Sequence, residues 1–117
     1  MSDRITIYQK PTCSKCRATI GLLKDKGEEF DAVNYYETPL TAEQLRDLIG
    51  KLGIRARSLL RTDEPLFRSL KLAERQLSED ELIRIMVENP DLIQRPIVVR
   101  GDQAVLCRPP ENVMKLL

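Results

Sequence analysis

Histidine is absent from this 117-residue chain. That absence removes Cys-His and Ser-His dyads and every zinc site built with imidazole. Cysteine is scarce, and its count of three is odd, which argues against a secreted disulfide framework and for a reducing cytoplasm. So few thiols, with Cys107 far along the chain from Cys13 and Cys16, make a poor metal cage, and no bound metal or other resident cofactor is expected. An excess of either charge is missing too: 19 Lys+Arg stand against 18 Asp+Glu, so no global field recruits nucleic acid or a membrane. No apolar run approaches the length of a membrane helix, and Met1-Ser-Asp-Arg4 is expected to lead into a strand rather than form a signal peptide. Any nucleophile here must be activated by its surroundings, and a low-pKa cysteine is the residue type that can be.

What remains is an ordinary soluble composition, 42% apolar and 32% charged, at a length that buries one core. The most informative segment is Tyr8-Gln-Lys-Pro-Thr-Cys-Ser-Lys-Cys-Arg17, which follows the apolar run Ile5-Thr-Ile-Tyr8. Cys13 falls where a helix begins, so unpaired backbone N–H groups and the positive end of the dipole favour its thiolate. Cys16 lies one turn further, within reach for a disulfide. Lys15 and Arg17 add positive charge nearby.

Arg4–Tyr8 reads as a strand and Ile20, Leu22 and Leu23 as the apolar face of a helix to about Lys26, stopped at Gly27. Phe30–Tyr35 is a second strand. Thr41-Ala-Glu-Gln44 and Ser78-Glu-Asp-Glu81 have capping-box form, each opening a helix with apolar residues at helical spacing: Leu45, Leu48, Ile49 and Leu52, then Leu82, Ile85 and Met86. Between them, Arg55–Leu72 is basic and irregular, with short helices expected around Arg57–Leu60 and Glu64–Leu70. Pro96–Val99 and Ala104–Cys107 read as a hairpin about a turn of roughly four residues at Gly101-Asp102, and Glu111–Leu117 as a terminal helix with Val113 inward. The fold class is α/β: a β-α-β unit, a helical insertion at about 41–90, a β-hairpin and a last helix, forming one thioredoxin-like domain over 1–117 with a mixed sheet.

Three arginines call for an explanation. Arg61 closes Ser58-Leu-Leu-Arg61, Arg95 precedes Pro96 and an apolar strand, and Arg108 follows the last strand and precedes Pro109. Guanidiniums converging on a thiolate make an oxyanion pocket, because Arg offers a fixed fork of donors and keeps its charge. The same charges lower a cysteine pKa. The Arg95–Pro96 bond is a candidate cis peptide. Cys107 reads as a buried strand thiol, and Tyr8 and Tyr35 as sheet residues rather than ligands.

Ile7-Tyr8-Gln-Lys-Pro-Thr-Cys13, Arg57-Ser-Leu-Leu-Arg61, Asn89-Pro90, Arg95-Pro96-Ile-Val-Val99 and Leu106-Cys107-Arg108-Pro109 together resemble the glutaredoxin-linked arsenate reductases of the thioredoxin-like superfamily, over nearly the whole chain. The resemblance implies Cys13 as nucleophile and Arg61, Arg95 and Arg108 as the arginines that bind arsenate. It also implies reduction of arsenate to arsenite, and with no oligomeric signal in the sequence a monomer is expected. Glutathione is then the co-substrate, and glutaredoxin, or thioredoxin, completes the cycle. Two positions depart from the common pattern. Gln9 stands where many members carry histidine, leaving more of the thiolate's stabilisation to the arginines and the helix end. Cys16 stands where many carry a non-thiol, making it a candidate resolving thiol for an internal disulfide. A Cys-x-x-Cys pair here also resembles Spx-type redox-sensing regulators that bind RNA polymerase, but these typically lack the Cys-Arg-Pro ending and have a longer tail. A general thiol-disulfide oxidoreductase would fit the pair and leave Arg61 and Arg108 without a task.

Overall fold

The first strand is built on alternation. In β1 (Ile5–Gln9) residues Ile5, Ile7 and Gln9 are buried while Thr6 and Tyr8 are half-buried. The computed structural model describes residues 4–117, so the reading of Met1-Ser-Asp as a plain lead-in lies outside the described residues. Two compact units emerge, one formed by the chain up to Pro39 together with Arg95–Leu117, the other by Leu40–Gln94.

The first unit holds a four-stranded sheet in the order β2-β1-β3-β4. After β1 comes α1 (Ser14–Asp25), then β2 (Phe30–Asn34), parallel to β1 with Gln9 opposite Asn34. Returning from the insertion, β3 (Ile97–Arg100) runs antiparallel to β1, and β4 (Gln103–Leu106) antiparallel to β3. A terminal 3-10 helix, Pro110–Leu116, follows. Ile5, Ile7 and Val98 from the sheet, Leu23 from α1, and Val113 and Leu116 from the last helix form one core with Cys107. This is the thioredoxin-like arrangement expected, with details corrected. The hairpin turn holds two residues, Gly101 and Asp102, because Arg100 pairs with Gln103, and Gly101 supplies the positive φ that a tight turn requires. The last helix winds as 3-10, following Pro109-Pro110. Tyr35 lies beyond the end of β2, in a turn where the Asn34 carbonyl accepts from the N–H groups of Glu37 and Thr38. Both Arg95–Pro96 and Arg108–Pro109 are cis.

The second unit is helical. Both capping boxes form: Thr41 and Gln44 bond reciprocally at 3.0 and 3.1 Å at the head of α2 (Ala42–Leu52). The short helices α3 (Ala56–Leu59) and α4 (Pro65–Ser69) come next. Ser78 and Glu81 then cap α5 (Glu79–Glu88). Leu45, Leu48 and Ile49 of α2 and Leu82, Ile83 and Met86 of α5 are buried, with Ile85 at the margin. The Gln94 side-chain amide donates to the carbonyls of Ser58 and Leu60, fastening the insertion's last residue to α3 and the residue after it. No helix among the described residues is long and apolar enough to cross a membrane.

Candidate active site

The loop from β1 to α1 makes the site. Lys10-Pro-Thr-Cys13 is a turn closed by the Cys13 N–H donating to the Lys10 carbonyl at 3.0 Å, with Pro11 at the position where its fixed φ is an advantage. Cys13 is therefore the N-cap residue of α1, in extended backbone conformation. Its sulfur occupies the place of a capping oxygen, which normally accepts from the N–H groups of the second and third helical residues. Here those residues are Lys15 and Cys16. No acidic residue sits in the first turn to oppose an anion.

The electrostatics separate the two thiols. Partial burial pushes the Cys13 thiol up, but a hydrogen bond from the Cys16 thiol, the N–H groups of Cys16 and Lys15, and the charge of Arg95 outweigh it, and its pKa lies below the ordinary value. Lys15 thus acts through its backbone. Burial drives Cys16 the other way, to about 12; an N–H from Lys10 lowers it, while the hydrogen bond and charge of Cys13 raise it further. Cys16 is fully buried and Cys13 only partly so. The arrangement pairs an accessible, low-pKa thiol with a buried, high-pKa one.

Arg95 is 7% exposed, and no carboxylate among the described residues lies in ion-pair range of it. Its Nη1 donates to the hydroxyls of Tyr35 and Tyr36, each at 3.3 Å. Its Nε is buried without a hydrogen-bond partner among the described residues. A buried guanidinium held only by neutral acceptors keeps its full positive charge and a spare donor, a combination suited to an anion. Burial opposes that charge, while Tyr35, Tyr36 and the nearby Cys13 favour it, and the net effect is a raised pKa.

Arg108 stands at the same end of the sheet. Ile97 pairs with Leu106, and the Cys107 N–H donates to the Pro96 carbonyl at 3.0 Å, so continuing the register sets Arg95 and Arg108 one step further at the open end of the hairpin. Since Tyr8 pairs with Ile97, the Cys13 loop leaves β1 at that same end. Arg61 belongs to the helical unit. Its N–H donates to the Leu92 carbonyl at 2.8 Å, Asp63 and Glu64 stand at 3.9 and 3.7 Å from its guanidinium, and its Nε is buried without a hydrogen-bond partner among the described residues. Cys107 is fully buried, as its strand reading implied, although it lies one residue past β4. Burial pushes it to about 12 against a hydrogen bond with Thr19.

The tyrosines correct the earlier expectation. Tyr35 is no mere sheet residue, since its hydroxyl holds Arg95, and Tyr36 was not singled out at all. A signal existed: β1 and β2 are parallel, so residues just past β2 lie beside the loop just past β1. Gln9, at the end of β1, is 7% exposed and neutral.

With this geometry in view, the relatives become informative. The ArsC family model matches residues 8–116, and the chain belongs to the ArsC family. It is 48% identical to the uncharacterized protein YfgD of Escherichia coli (strain K12), over 100% of this chain and 99% of that one. It is 42% identical to an arsenate reductase of the same organism, over 98% of this chain and 82% of the other. The solved structure of an arsenate reductase from Vibrio cholerae superimposes with a TM-score of 0.94 at 41% identity, covering 100% of both chains.

Proposed function

We propose that this protein reduces arsenate to arsenite in a reducing cytoplasm, as a monomer. The observation that carries the reading is Arg95, a buried guanidinium with no carboxylate in ion-pair range and a spare Nε donor among the described residues, whose charge acts on a low-pKa cysteine at a helix N-terminus. Arsenate docks on Arg95 and Arg108 and on the N–H groups after Cys13. Arg61 is proposed as the third arginine, from its place in the Arg57–Arg61 motif and its buried Nε, which makes no hydrogen bond among the described residues. The Cys13 thiolate attacks arsenic, a protonated oxygen leaves as water, and the arginines stabilise charge on the remaining oxygens.

A second thiol then closes the cycle. A thiolate attacks the Cys13 sulfur, a disulfide forms, and the electron pair of the broken S–As bond passes to arsenic, releasing arsenite. With glutathione the product is a Cys13–glutathione mixed disulfide, which glutaredoxin resolves by exchange. Cys16 offers an internal alternative, giving a Cys13–Cys16 disulfide for glutaredoxin or thioredoxin to reduce. Two of the influences that hold Cys16 protonated are the hydrogen bond and charge of Cys13, and both disappear once Cys13 is bonded to arsenic. Plain thiol-disulfide exchange would account for the two cysteines but not for the buried guanidinium of Arg95 held by two tyrosine hydroxyls.

The test is arsenate-dependent NADPH oxidation with the glutathione/glutaredoxin and thioredoxin systems supplied separately. Wild type is expected to turn over with at least one system and Cys13→Ser with neither. Absence of turnover from folded, reduced wild type in both systems refutes the reading. Full turnover by Cys16→Ser with every reductant refutes internal resolution.

A further inference from the structure

The site contains two aromatic residues that the thiol chemistry does not use. Tyr35 and Tyr36 follow β2, and their rings lie 5.1 Å apart between centroids, tilted by 31°. The Tyr36 N–H donates to the Asn34 side-chain oxygen at 3.0 Å, and this local turn fixes where its side chain starts. Two cations gather at its ring: Lys10 Nζ is 4.6 Å and Arg95 Cζ 5.8 Å from the centroid. Its hydroxyl meanwhile accepts from Arg95 Nη1 at 3.3 Å, as that of Tyr35 does. Lys10 also carries the carbonyl that closes the Cys13 turn.

We infer that Tyr36, backed by Tyr35, is the positioning residue that fixes Arg95 beside Cys13 and keeps its charge unspent for the thiolate and for an oxyanion substrate. A buried guanidinium needs acceptors, and the usual one is a carboxylate. An Asp or Glu there would cancel the positive charge that the site requires and would repel both the thiolate and an oxyanion. Two phenols supply acceptor oxygens without that negative charge, and the negative face of the Tyr36 ring attracts cations without neutralising them. Burial of Tyr35, at 1% exposed, makes it the fixed member of the pair; Tyr36 is half-buried. The groups that act on Cys13 are the Cys16 thiol and the N–H groups of Lys15 and Cys16 from α1, and Arg95 from the residue pair before β3. Of these, only Arg95 reaches Cys13 through a long, flexible side chain, so it alone needs a brace.

The substrate part of this inference rests on the arsenate reading; the thiolate part does not. The experiment therefore measures both. The rate of Cys13 alkylation by iodoacetamide is recorded against pH for wild type, Tyr36→Phe, Tyr36→Leu and Tyr35→Phe, with circular dichroism to verify folding. The same proteins are assayed for the arsenate KM and kcat. Tyr36→Phe keeps the ring and loses one acceptor, so its alkylation rate on the rising limb should fall roughly twofold; Tyr36→Leu loses both and should fall roughly fivefold. The arsenate KM should rise in the same order. A folded Tyr36→Leu whose alkylation profile overlies that of wild type overturns the inference, as does loss of thermal stability with no change in the profile. If Tyr36→Leu does not fold, Tyr36→Phe and Tyr35→Phe decide on the same criterion. A shifted profile in a protein whose wild type never reduces arsenate upholds the tyrosine brace and sinks the arsenate reading. An unshifted profile alongside normal arsenate turnover does the reverse.

Discussion

Removing the Cys16 thiol should slow Cys13 at pH values below its pKa and spare it on the alkaline plateau. Cys16 is fully buried and its thiol donates to the Cys13 sulfur, so Cys16→Ala deletes one donor to a charged acceptor. Such a bond contributes about 1.5–3 kcal/mol, and because Cys13 is only half-buried the lower end applies, about 1.5 kcal/mol. At roughly 1.4 kcal/mol per factor of ten, the thiolate population at a fixed pH below the thiol's pKa falls about tenfold. Nucleophilicity rises as thiol pKa rises, with a Brønsted slope of about 0.4–0.5, which recovers nearly half of the logarithm. The net effect is a rate roughly three- to fivefold slower on the rising limb and no slower on the alkaline plateau. Cys16→Ser keeps a hydroxyl donor and should stay close to wild type. Iodoacetamide labelling followed by intact-mass measurement reads Cys13 alone, since Cys16 and Cys107 are buried and protonated up to about 12. Coincident profiles for Cys16→Ala and wild type would refute the claim that Cys16 stabilises the Cys13 thiolate.

Arg95→Lys keeps the charge but loses the fork held by two hydroxyls, so arsenate-dependent kcat should drop on the order of 100-fold, measured in the coupled NADPH assay. Stability should fall as pH rises above 9, because burial raises Cys16 and Cys107 from 9.0 to about 12 and the folded state retains protons that the unfolded chain releases; urea unfolding between pH 8 and 11 measures this, and Cys107→Ala should flatten the decline. Thr41→Ala and Ser78→Ala each remove the side-chain half of a capping box, and each should cost about 1 kcal/mol in urea unfolding.

Much of this molecule was legible from local chemistry. The two capping boxes, the Gly27 stop at positive φ and the β1-α1-β2 unit follow from short-range rules that tertiary packing did not override. Cys13 was legible because a strand followed by Pro-Thr-Cys and a helical pattern puts that thiol at a helix N-terminus. Tyr36 was not, since its role depends on the parallel pairing of β1 with β2 and on Arg95 arriving from the segment before β3, 59 residues on, contacts that no local pattern encodes. Lys15 and Arg17 show the same limit of local pattern. They bring charge near Cys13 in sequence, but the charge acting on the thiolate is that of Arg95, and Lys15 contributes its N–H.

The most direct test of Cys13 as the nucleophile on arsenic is a single turnover. Fully reduced protein is mixed with arsenate and glutathione, quenched, and the arsenite formed is counted per chain for wild type and Cys13→Ser. About one arsenite per wild-type chain and none from Cys13→Ser is the expected result. No arsenite from folded wild type, or an equal yield from Cys13→Ser, would contradict it.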